Sequence, residues 1–129
     1  MLVVDATVAL AAAASDDGFD YFDDELCAPP LMWSESRSVL HEMAWRGEIE
    51  AEDAVLTRVR LERSRVRPRA PAKLGTEAWD LANQLGWAKT SDAEYVALAG
   101  LLKCRLVTLD ARLRRGGARL GYVIGPHEL

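Results

Sequence analysis

The segment TSDAEYVALAGLLKCRLVTLDARL, residues 90–113, decides the fold class because it contains a helix, a strand and an acidic residue in direct succession. Residues 91–103 are apolar at most positions, which predicts a helix that is buried on almost every side. Residues 106–109 form a short apolar run typical of a buried strand, and Asp110 is placed to cap a short helix that ends at Gly116–Gly117.

The N-terminal segment MLVVDATVAL has a similar order of elements. Leu2–Val4 predicts a buried strand, Asp5 follows it, and Thr7 is expected to cap a helix over residues 8–14. The other predicted elements are strands at 26–28, 66–70 and 122–124 and helices at 18–25, 31–46, 51–64 and 74–85. Strands that alternate with helices predict an α/β fold, a three-layer α/β/α architecture with a central parallel sheet, formed as one domain by residues 1–129. The strand at 66–70 should lie at the sheet edge because it contains a proline.

Length and composition are those of an ordinary globular protein, with 129 residues of which 28% are charged. The N-terminus lacks the basic start of a secretory signal, and the longest nearly apolar run, residues 6–14, is too short to cross a bilayer. A soluble, cytoplasmic protein with no membrane contact is therefore expected. Cys27 and Cys104 have no metal-ligand spacing, and buried free thiols are expected.

The charges are segregated along the chain. The formal net charge of −4 argues against a protein that holds nucleic acid by bulk charge alone. Acidic residues are concentrated in 16–25, and arginines in 58–69 and in 112–119. Such runs are more often solvated faces than binding sites.

Four acidic residues stand where predicted elements begin or end. Asp5 and Asp110 each follow a strand, Asp92 begins a helix, and Glu35 lies near the start of the helix that follows Pro29–Pro30. Ligands of open parallel sheets bind at the carboxyl ends of the strands, so these four carboxylates are expected to converge at one edge. Any one of them alone could equally be an ordinary helix cap.

Converging carboxylates repel one another, and hard divalent cations such as Mg²⁺ or Mn²⁺ remove that cost. An ion of this kind can activate a water and stabilise charge on a phosphoryl oxygen, which points to phosphodiester chemistry. Two other acids are weaker candidates. Glu94 is assigned to a capping box opened by Ser91, and Glu42 lies two turns beyond Glu35 on the same helix face.

The remaining candidate residues favour structural roles. His41 and His127 lie away from the acids, so they are not expected to be catalytic. The four tryptophans, at 33, 45, 79 and 87, are expected in the core or at interfaces rather than as base-stacking platforms. No glycine-rich phosphate loop of the GxxxxGK[ST] form occurs, which argues against nucleotide hydrolysis of that kind.

Three stretches together resemble the PIN-domain ribonucleases, and within them the VapC-type toxins of toxin–antitoxin pairs. The stretches are VVDATVAL (3–10), APPLMWSESRSVLHEMAWRGEI (28–49) and TSDAEYVALAGLLKCRLVTLDARL (90–113). The resemblance implies that the metal ligands and catalytic acids are Asp5, Glu35, Asp92 and Asp110. It also implies that Thr7 and Thr108 orient these carboxylates or a bound water, and that Arg112 holds the fourth acid or a phosphate.

The implied activity is a Mg²⁺- or Mn²⁺-dependent endoribonuclease that acts as the toxin of a type II toxin–antitoxin system. The implied partners are an RNA substrate, a second copy of the chain in a homodimer, and a small antitoxin that wraps the toxin. The arginine clusters become candidate contacts to the RNA backbone. Two positions depart from the family pattern: Ser38 replaces a frequent Asn, and Ser91 replaces a frequent aromatic residue or His. Neither removes a ligand, and both bear on substrate choice.

Two other functions remain open. The first is a PIN-like module that binds RNA or protein without cutting, against which the four intact acids argue. The second is a phosphoryl-acceptor domain of flavodoxin-like topology, which normally has paired acids early and a lysine after a late strand. This chain has one early acid, and no lysine follows Val123–Ile124.

Large aromatic residues in short acidic segments suggest a docking surface. A domain of this size is not expected to bury all of them, and an exposed apolar patch marks a binding site. The residues are Phe19, Tyr21, Phe22, Trp33 and Trp45. An amphipathic antitoxin helix is expected to lie there, with a flanking Arg or Lys placed among the four acids.

Overall fold

The fold is described here from a computed structural model that covers residues 1–129. The strands are β1 (Leu2–Val4), β2 (Leu26–Ala28), β3 (Arg67–Pro68), β4 (Arg105–Val107) and β5 (Val123–Ile124). The α-helices are α1 (Ala6–Ala14), α2 (Leu31–Trp45), α3 (Ala51–Glu62), α4 (Leu74–Leu85), α5 (Ser91–Leu102) and α6 (Ala111–Gly117). Short 3₁₀ helices cover Gly18–Tyr21, Ala118–Leu120 and Pro126–Glu128.

The five strands form one sheet in the order β3-β2-β1-β4-β5, and all neighbouring strands are parallel. Helices α1, α2 and α3 contact one another, and α5 contacts α4 and the central strands β1 and β4. The predicted three-layer α/β/α architecture with a central parallel sheet is confirmed. The strand order changes direction at β1, which has β2 on one side and β4 on the other, so the carboxyl ends of β1 and β4 flank a switch point.

The core is built from the apolar strands and from α5. A cluster of 28 buried hydrophobic residues includes every residue of β1, and Tyr95 of α5 is the largest of the fully buried side chains. Burial of α5 on nearly every side agrees with the sequence pattern. Cys27 is buried and Cys104 half-buried, and both are free thiols. No helix is long and apolar enough to span a membrane.

Three predicted local features are wrong. Helix α1 begins at Ala6 because the side chain of Asp5, not that of Thr7, caps it. The helix predicted over 18–25 shrinks to the 3₁₀ turn Gly18–Tyr21, after which the chain extends into β2. The capping box opened by Ser91 does not form, because the residue at the N-cap of α5 is Thr90 and its side chain makes no capping hydrogen bond.

The expected aromatic surface is only partly present. Phe22 is buried, and Phe19 and Trp33 pack partly buried against the core. Tyr21 and Trp45 are 61% and 80% exposed, but they line two separate depressions of the surface. The five residues therefore do not form one patch.

Arg65 has a structural role within its arginine-rich segment. Its guanidinium donates hydrogen bonds to the backbone carbonyls of Phe19, Phe22 and Asp24. These bonds tie the end of α3 to the connection between α1 and β2. Arg65 is therefore not free to contact a ligand.

Two glycines let α6 approach its neighbours closely. A Cβ atom on Gly117 would lie 2.7 Å from Cγ2 of Val123, and one on Gly116 would lie 2.7 Å from Cζ2 of Trp87. Both contacts are shorter than packed atoms allow. The glycine pair at the end of α6 therefore sets the position of the helix against β5 and against the α4–α5 loop.

We predict that Gly117→Ala destabilises the protein by about 1–3 kcal/mol, because the added methyl group overpacks against Val123. In an unobstructed helix the same change stabilises by roughly 0.5–1 kcal/mol. Gly75→Ala in α4 is the matched control, since nothing lies within 4 Å of its added Cβ. Urea unfolding measures both, and Val123→Ala should partly rescue Gly117→Ala in a double-mutant cycle. Equal effects at both glycines would contradict the packing argument.

Candidate functional site

The site lies where β1 and β4 end side by side. Val4 pairs with Val107 in the parallel register, so the next residues, Asp5 and Thr108, are neighbours across the two strands. Both are almost completely buried, with Asp5 3% exposed. A buried carboxylate therefore stands at the switch point of the sheet, where open α/β folds bind their ligands.

Three hydrogen bonds hold the carboxylate of Asp5. Its Oδ1 accepts from the backbone N–H of Val8 at 3.1 Å and from the hydroxyl of Thr7 at 2.6 Å. Its Oδ2 accepts from the hydroxyl of Thr108. Burial raises the pKa of Asp5, these three donors lower it, and the charge of Asp110 raises it further. The donors fix the orientation of the carboxylate and offset part of the cost of burying it.

The two threonines also join the loop after β1 to the loop after β4. Oγ1 of Thr7 accepts from the backbone N–H of Leu109 at 3.0 Å, and Oγ1 of Thr108 accepts from the backbone N–H of Asp110 at 3.0 Å. Each hydroxyl thus donates to Asp5 and accepts from the β4–α6 loop. The position of Asp110 relative to Asp5 is set by these contacts.

Asp110 and Asp92 both begin helices, but they do so differently. Asp110 is the N-cap of α6, and its Oδ1 accepts from the backbone N–H groups of Arg112 and Leu113 at 2.9 and 3.3 Å. Asp92 lies in the first turn of α5 and accepts no hydrogen bond that caps the helix. Burial raises the pKa of Asp92, the charge of Asp110 raises it further, and the charges of Arg112 and Lys89 lower it.

Glu35 reaches the site from α2 and is held by Tyr95 of α5. The Tyr95 hydroxyl donates to Oε1 of Glu35 at 2.6 Å. Burial raises the pKa of Glu35, the Tyr95 hydrogen bond lowers it, and the charges of Asp92, Asp5 and Glu94 raise it. Burial and the contact with Glu35 also raise the pKa of Tyr95, so its hydroxyl stays protonated and acts as a donor.

Electrostatic repulsion links the four predicted acids in a closed ring. The charge of Asp110 raises the pKa of Asp5 and of Asp92, and the charges of Asp92 and Asp5 raise the pKa of Glu35. The structure thus brings together acids that are far apart in the chain and come from four different elements. We call Asp5, Glu35, Asp92 and Asp110 the acid ring.

The donor set of the acid ring fits a hard divalent cation, since it contains only carboxylate oxygens. No three acidic, histidine or cysteine side chains lie close enough together to ligate one ion directly. An ion would therefore be held partly through water, as Mg²⁺ commonly is, or after small rotations of the carboxylates.

The other predicted candidates divide into those near the ring and those away from it. The guanidinium of Arg112 makes no hydrogen bond or ion pair within the protein, and its charge lowers the pKa of Asp92. Arg112 contacts the fourth acid, Asp110, through its backbone N–H and not through its side chain. Glu94 is close enough to Glu35 to raise its pKa, although the sequence assigned it to a capping box. Glu42 is exposed and pairs with Arg46. His127 lies beside Glu128, 4.0 Å from its carboxylate.

Tyr95 was missed by the sequence analysis. The signal for it was helical spacing, because Tyr95 is three residues after Asp92 and can therefore face the same direction on α5. Its position within a nearly continuous apolar segment made it look like an ordinary core residue.

We predict that Asp92→Asn raises the melting temperature of the metal-free protein. Because the pKa of Asp92 is raised on folding, its charged form is less stable in the folded than in the unfolded chain, and stability falls as the pH rises through that pKa. Removing the charge should stabilise by about 1 kcal/mol at neutral pH, or a few degrees in Tm. Asp110→Asn is the matched control and should gain less, since it also removes the favourable negative charge from the N-terminus of α6.

Thermal melting across a pH series measures this effect. Added Mg²⁺ or Mn²⁺ should stabilise the wild type more than Asp92→Asn, because an ion bound by the acid ring stabilises only the folded state. An Asp92→Asn protein that melts below the wild type at neutral pH would refute the repulsion argument.

Comparison with known proteins identifies the family of the chain. The family model described as the PIN domain matches residues 2–118. A protein called VapC ribonuclease Mb0985, from Mycobacterium bovis, is 35% identical over 119 residues, which are 91% of this chain and 91% of the relative. A protein called Ribonuclease VapC9, from Mycobacterium tuberculosis, shows the same identity and coverage.

A solved structure supports the fold independently. The crystal structure of PAE2754 from Pyrobaculum aerophilum superimposes with a TM-score of 0.80 at 24% identity. The match covers 98% of this chain and 90% of that one. The chain belongs to the PIN-domain family, and within that family to the VapC type.

Proposed function

We propose that the protein is an endoribonuclease dependent on Mg²⁺ or Mn²⁺, and that it acts as the toxin of a type II toxin–antitoxin system. The observation that carries the proposal is the acid ring at the carboxyl edge of the sheet. The names of its mycobacterial relatives, which include the word ribonuclease, support RNA as the substrate. A cytoplasmic location remains a prediction.

The acid ring is the proposed cation site, with Asp5, Asp92, Asp110 and Glu35 as direct or water-mediated ligands. The bound ion would supply Lewis-acid activation of water and charge stabilisation at the phosphodiester. The contribution of the chain is to hold four carboxylates in a fixed arrangement. Three donors orient Asp5, two backbone N–H groups orient Asp110, and Tyr95 orients Glu35.

The hydroxyl donors of the site oppose the rise in pKa that burial causes at Asp5 and Glu35. Thr7, Thr108 and Tyr95 donate only to carboxylates, and each of these hydrogen bonds lowers the pKa of its acceptor. Donation to a carboxylate favours its ionised form, which is the form that binds a cation. These three residues are therefore proposed as positioning residues.

A module that binds RNA without cutting is disfavoured, because the acid ring lowers the stability of the folded protein. Burial and mutual repulsion raise the pKa of Asp5, Glu35 and Asp92, which lowers the stability of the folded protein at neutral pH. A binding module gains nothing from that cost. A phosphoryl-acceptor domain is disfavoured because the chain after β5 continues as Gly125–Pro126 without a lysine. Incubation with acetyl phosphate should therefore leave the protein unmodified.

We predict that Asp5→Asn, Glu35→Gln, Asp92→Asn and Asp110→Asn each reduce RNA cleavage at least a hundredfold. The amides keep the shape of the side chains but lose the charge that holds the ion. Tyr95→Phe removes one outer hydrogen bond, and a loss of about 10–100-fold is expected. Glu42→Gln is the control and should leave cleavage nearly unchanged, since Glu42 is exposed and paired with Arg46.

The assay is cleavage of structured RNA with and without Mg²⁺ or Mn²⁺, on variants whose folding is checked by circular dichroism. Full cleavage by Asp5→Asn protein that is free of contaminating nuclease would sink the assignment of the acid ring. Cleavage that is unaffected by a chelator would remove the metal from the proposal.

The proposed partners are a small antitoxin and a second copy of the chain. An apolar depression of about 420 Å³ beside α1 is the proposed docking surface for the antitoxin, and Val8, Tyr21, Phe22 and Leu109 line it. It adjoins the acid ring, because the N–H of Val8 donates to Asp5 and the N–H of Leu109 donates to Thr7. Asp17 and Asp20 also line it, which favours a partner segment rich in Lys or Arg.

We predict that co-expression with the product of an adjacent small gene gives a stable complex in which RNA cleavage is inhibited. A Lys or Arg of the partner would lie among the acids and exclude the ion. Tyr21→Ala should weaken the complex, because Tyr21 lines the proposed docking surface. Trp45→Ala should not, because Trp45 lines a separate depression. A tight complex with undiminished cleavage would refute the plugging mechanism, and the absence of any complex would remove the toxin assignment.

A further inference from the structure

A second pocket adjoins the acid ring on the side of Asp92. It has a volume of about 330 Å³ and lies between the α4–α5 loop and α6. Its lining includes Trp87, Lys89, Asp92, Arg112 and Leu113. We call it the Trp87 pocket. It shares Asp92 with the acid ring, so a strand that crosses the ring can continue directly into it.

We propose that the Trp87 pocket binds one unpaired nucleotide of the RNA, next to the phosphodiester that the acid ring acts on. The inference rests on the proposed function for the position of the cut, but the pocket itself is argued from its own residues. Trp87 would stack on the base, and Lys89 and Arg112 would contact the flanking phosphate.

The indole of Trp87 packs between the core and α6. It packs partly buried against the core and lies over Gly116, where an added Cβ would come within 2.7 Å of Cζ2 and 3.2 Å of Nε1. Only glycine allows the ring to approach α6 this closely. A rigid aromatic ring at the wall of a pocket stacks on a base at low entropic cost, and every base offers a face to it.

Lys89 and Arg112 are two cations without partners inside the protein. Both side chains are exposed, and neither makes a hydrogen bond or ion pair to another side chain, although both charges act on Asp92. Five other arginines are engaged. Arg46, Arg58 and Arg114 pair with glutamates, and Arg65 and Arg119 donate to backbone carbonyls. The free cations of the pocket can therefore contact a phosphate without breaking an existing bond.

The geometry selects unpaired nucleotides. A base stacks on a protein ring only when it is free of its own neighbours, which is the state of bases in loops, bulges and single strands. A base inside a duplex presents only its edge. All four tryptophans were expected in the core or at interfaces. Trp87 packs against the core and also lines a charged pocket.

The test measures RNA binding in an Asp5→Asn background, so that the probe stays intact. The probes are labelled single-stranded homopolymers of A, C and U, read by fluorescence anisotropy in Mg²⁺ buffer. Trp87→Ala should weaken binding roughly tenfold, and Trp87→Phe should keep most of it. Lys89→Ala and Arg112→Ala should each weaken binding and reduce the salt slope by about 0.7.

The matched controls are Trp79→Ala and Lys73→Ala, an exposed tryptophan and an exposed lysine that do not line the pocket. Both should bind as the Asp5→Asn parent does. A homopolymer annealed to its complement should bind more weakly than the single strand and should show no dependence on Trp87. Lys89→Ala guards against misfolding, because Lys89 is exposed and its loss removes no packing.

The outcomes separate the pocket from the proposed function. Unchanged binding in Lys89→Ala and in both Trp87 variants would overturn the pocket, even if protein with an intact acid ring cleaves RNA. Weaker binding by these variants supports the pocket, even if protein with an intact acid ring fails to cleave. Equal loss in the Trp79→Ala control would overturn it as well, since the effect would not be specific to the pocket.

Discussion

The rest of the site depends on the buried carboxylate of Asp5. Asp5 directly follows β1 and caps the N-terminus of α1, and its carboxylate accepts hydrogen bonds from Thr7 and Thr108. One side chain thus fixes the first helix to the first strand and joins the loops after β1 and β4. Because Thr7 and Thr108 also accept from backbone N–H groups of the β4–α6 loop, the place of Asp110 follows from that of Asp5. An apolar residue at position 5 would leave the buried hydroxyl of Thr108 and the buried N–H of Val8 without their acceptor.

The burial that fixes the acid ring also lowers the stability of the folded protein at neutral pH. Desolvation is the largest cause of the raised pKa of Asp5, Glu35 and Asp92, and repulsion among the acids adds to it. The hydroxyl donors offset part of this cost but do not remove it. The folded chain therefore stores repulsion at one edge of the sheet, and a cation bound there would release it. The rest of the domain compensates through a core in which β1 and most of α5 are buried.

The fold and the convergence of the four acids could be predicted from the sequence, because the elements of the fold and the positions of the acids at their ends are visible in local patterns. Apolar runs identify buried strands, and residues that follow parallel strands meet at one edge of the sheet regardless of loop length and conformation. The contacts that needed distant partners could not be predicted. The hydrogen bond from Tyr95 to Glu35 joins α5 to α2, and Arg65 reaches carbonyls more than 40 positions earlier in the chain. Ser91 and Glu94 fit a capping box by spacing, but α5 begins without one, and the charge of Glu94 instead adds to the raised pKa of Glu35.

The distribution of cations explains how an acidic chain can approach a polyanion. With a net charge of −4 the chain as a whole repels a polyanion, so the proposed contact with RNA depends on cations near the site. Arginine-rich segments in the sequence suggested a broad surface, but Arg58 and Arg65 are already bound within the protein. Lys89 and Arg112 are free and lie beside Asp92. In the proposed RNA complex these two cations would lie next to the acid ring and would offset repulsion between a phosphate and the carboxylates, so binding would depend on the local geometry of the strand.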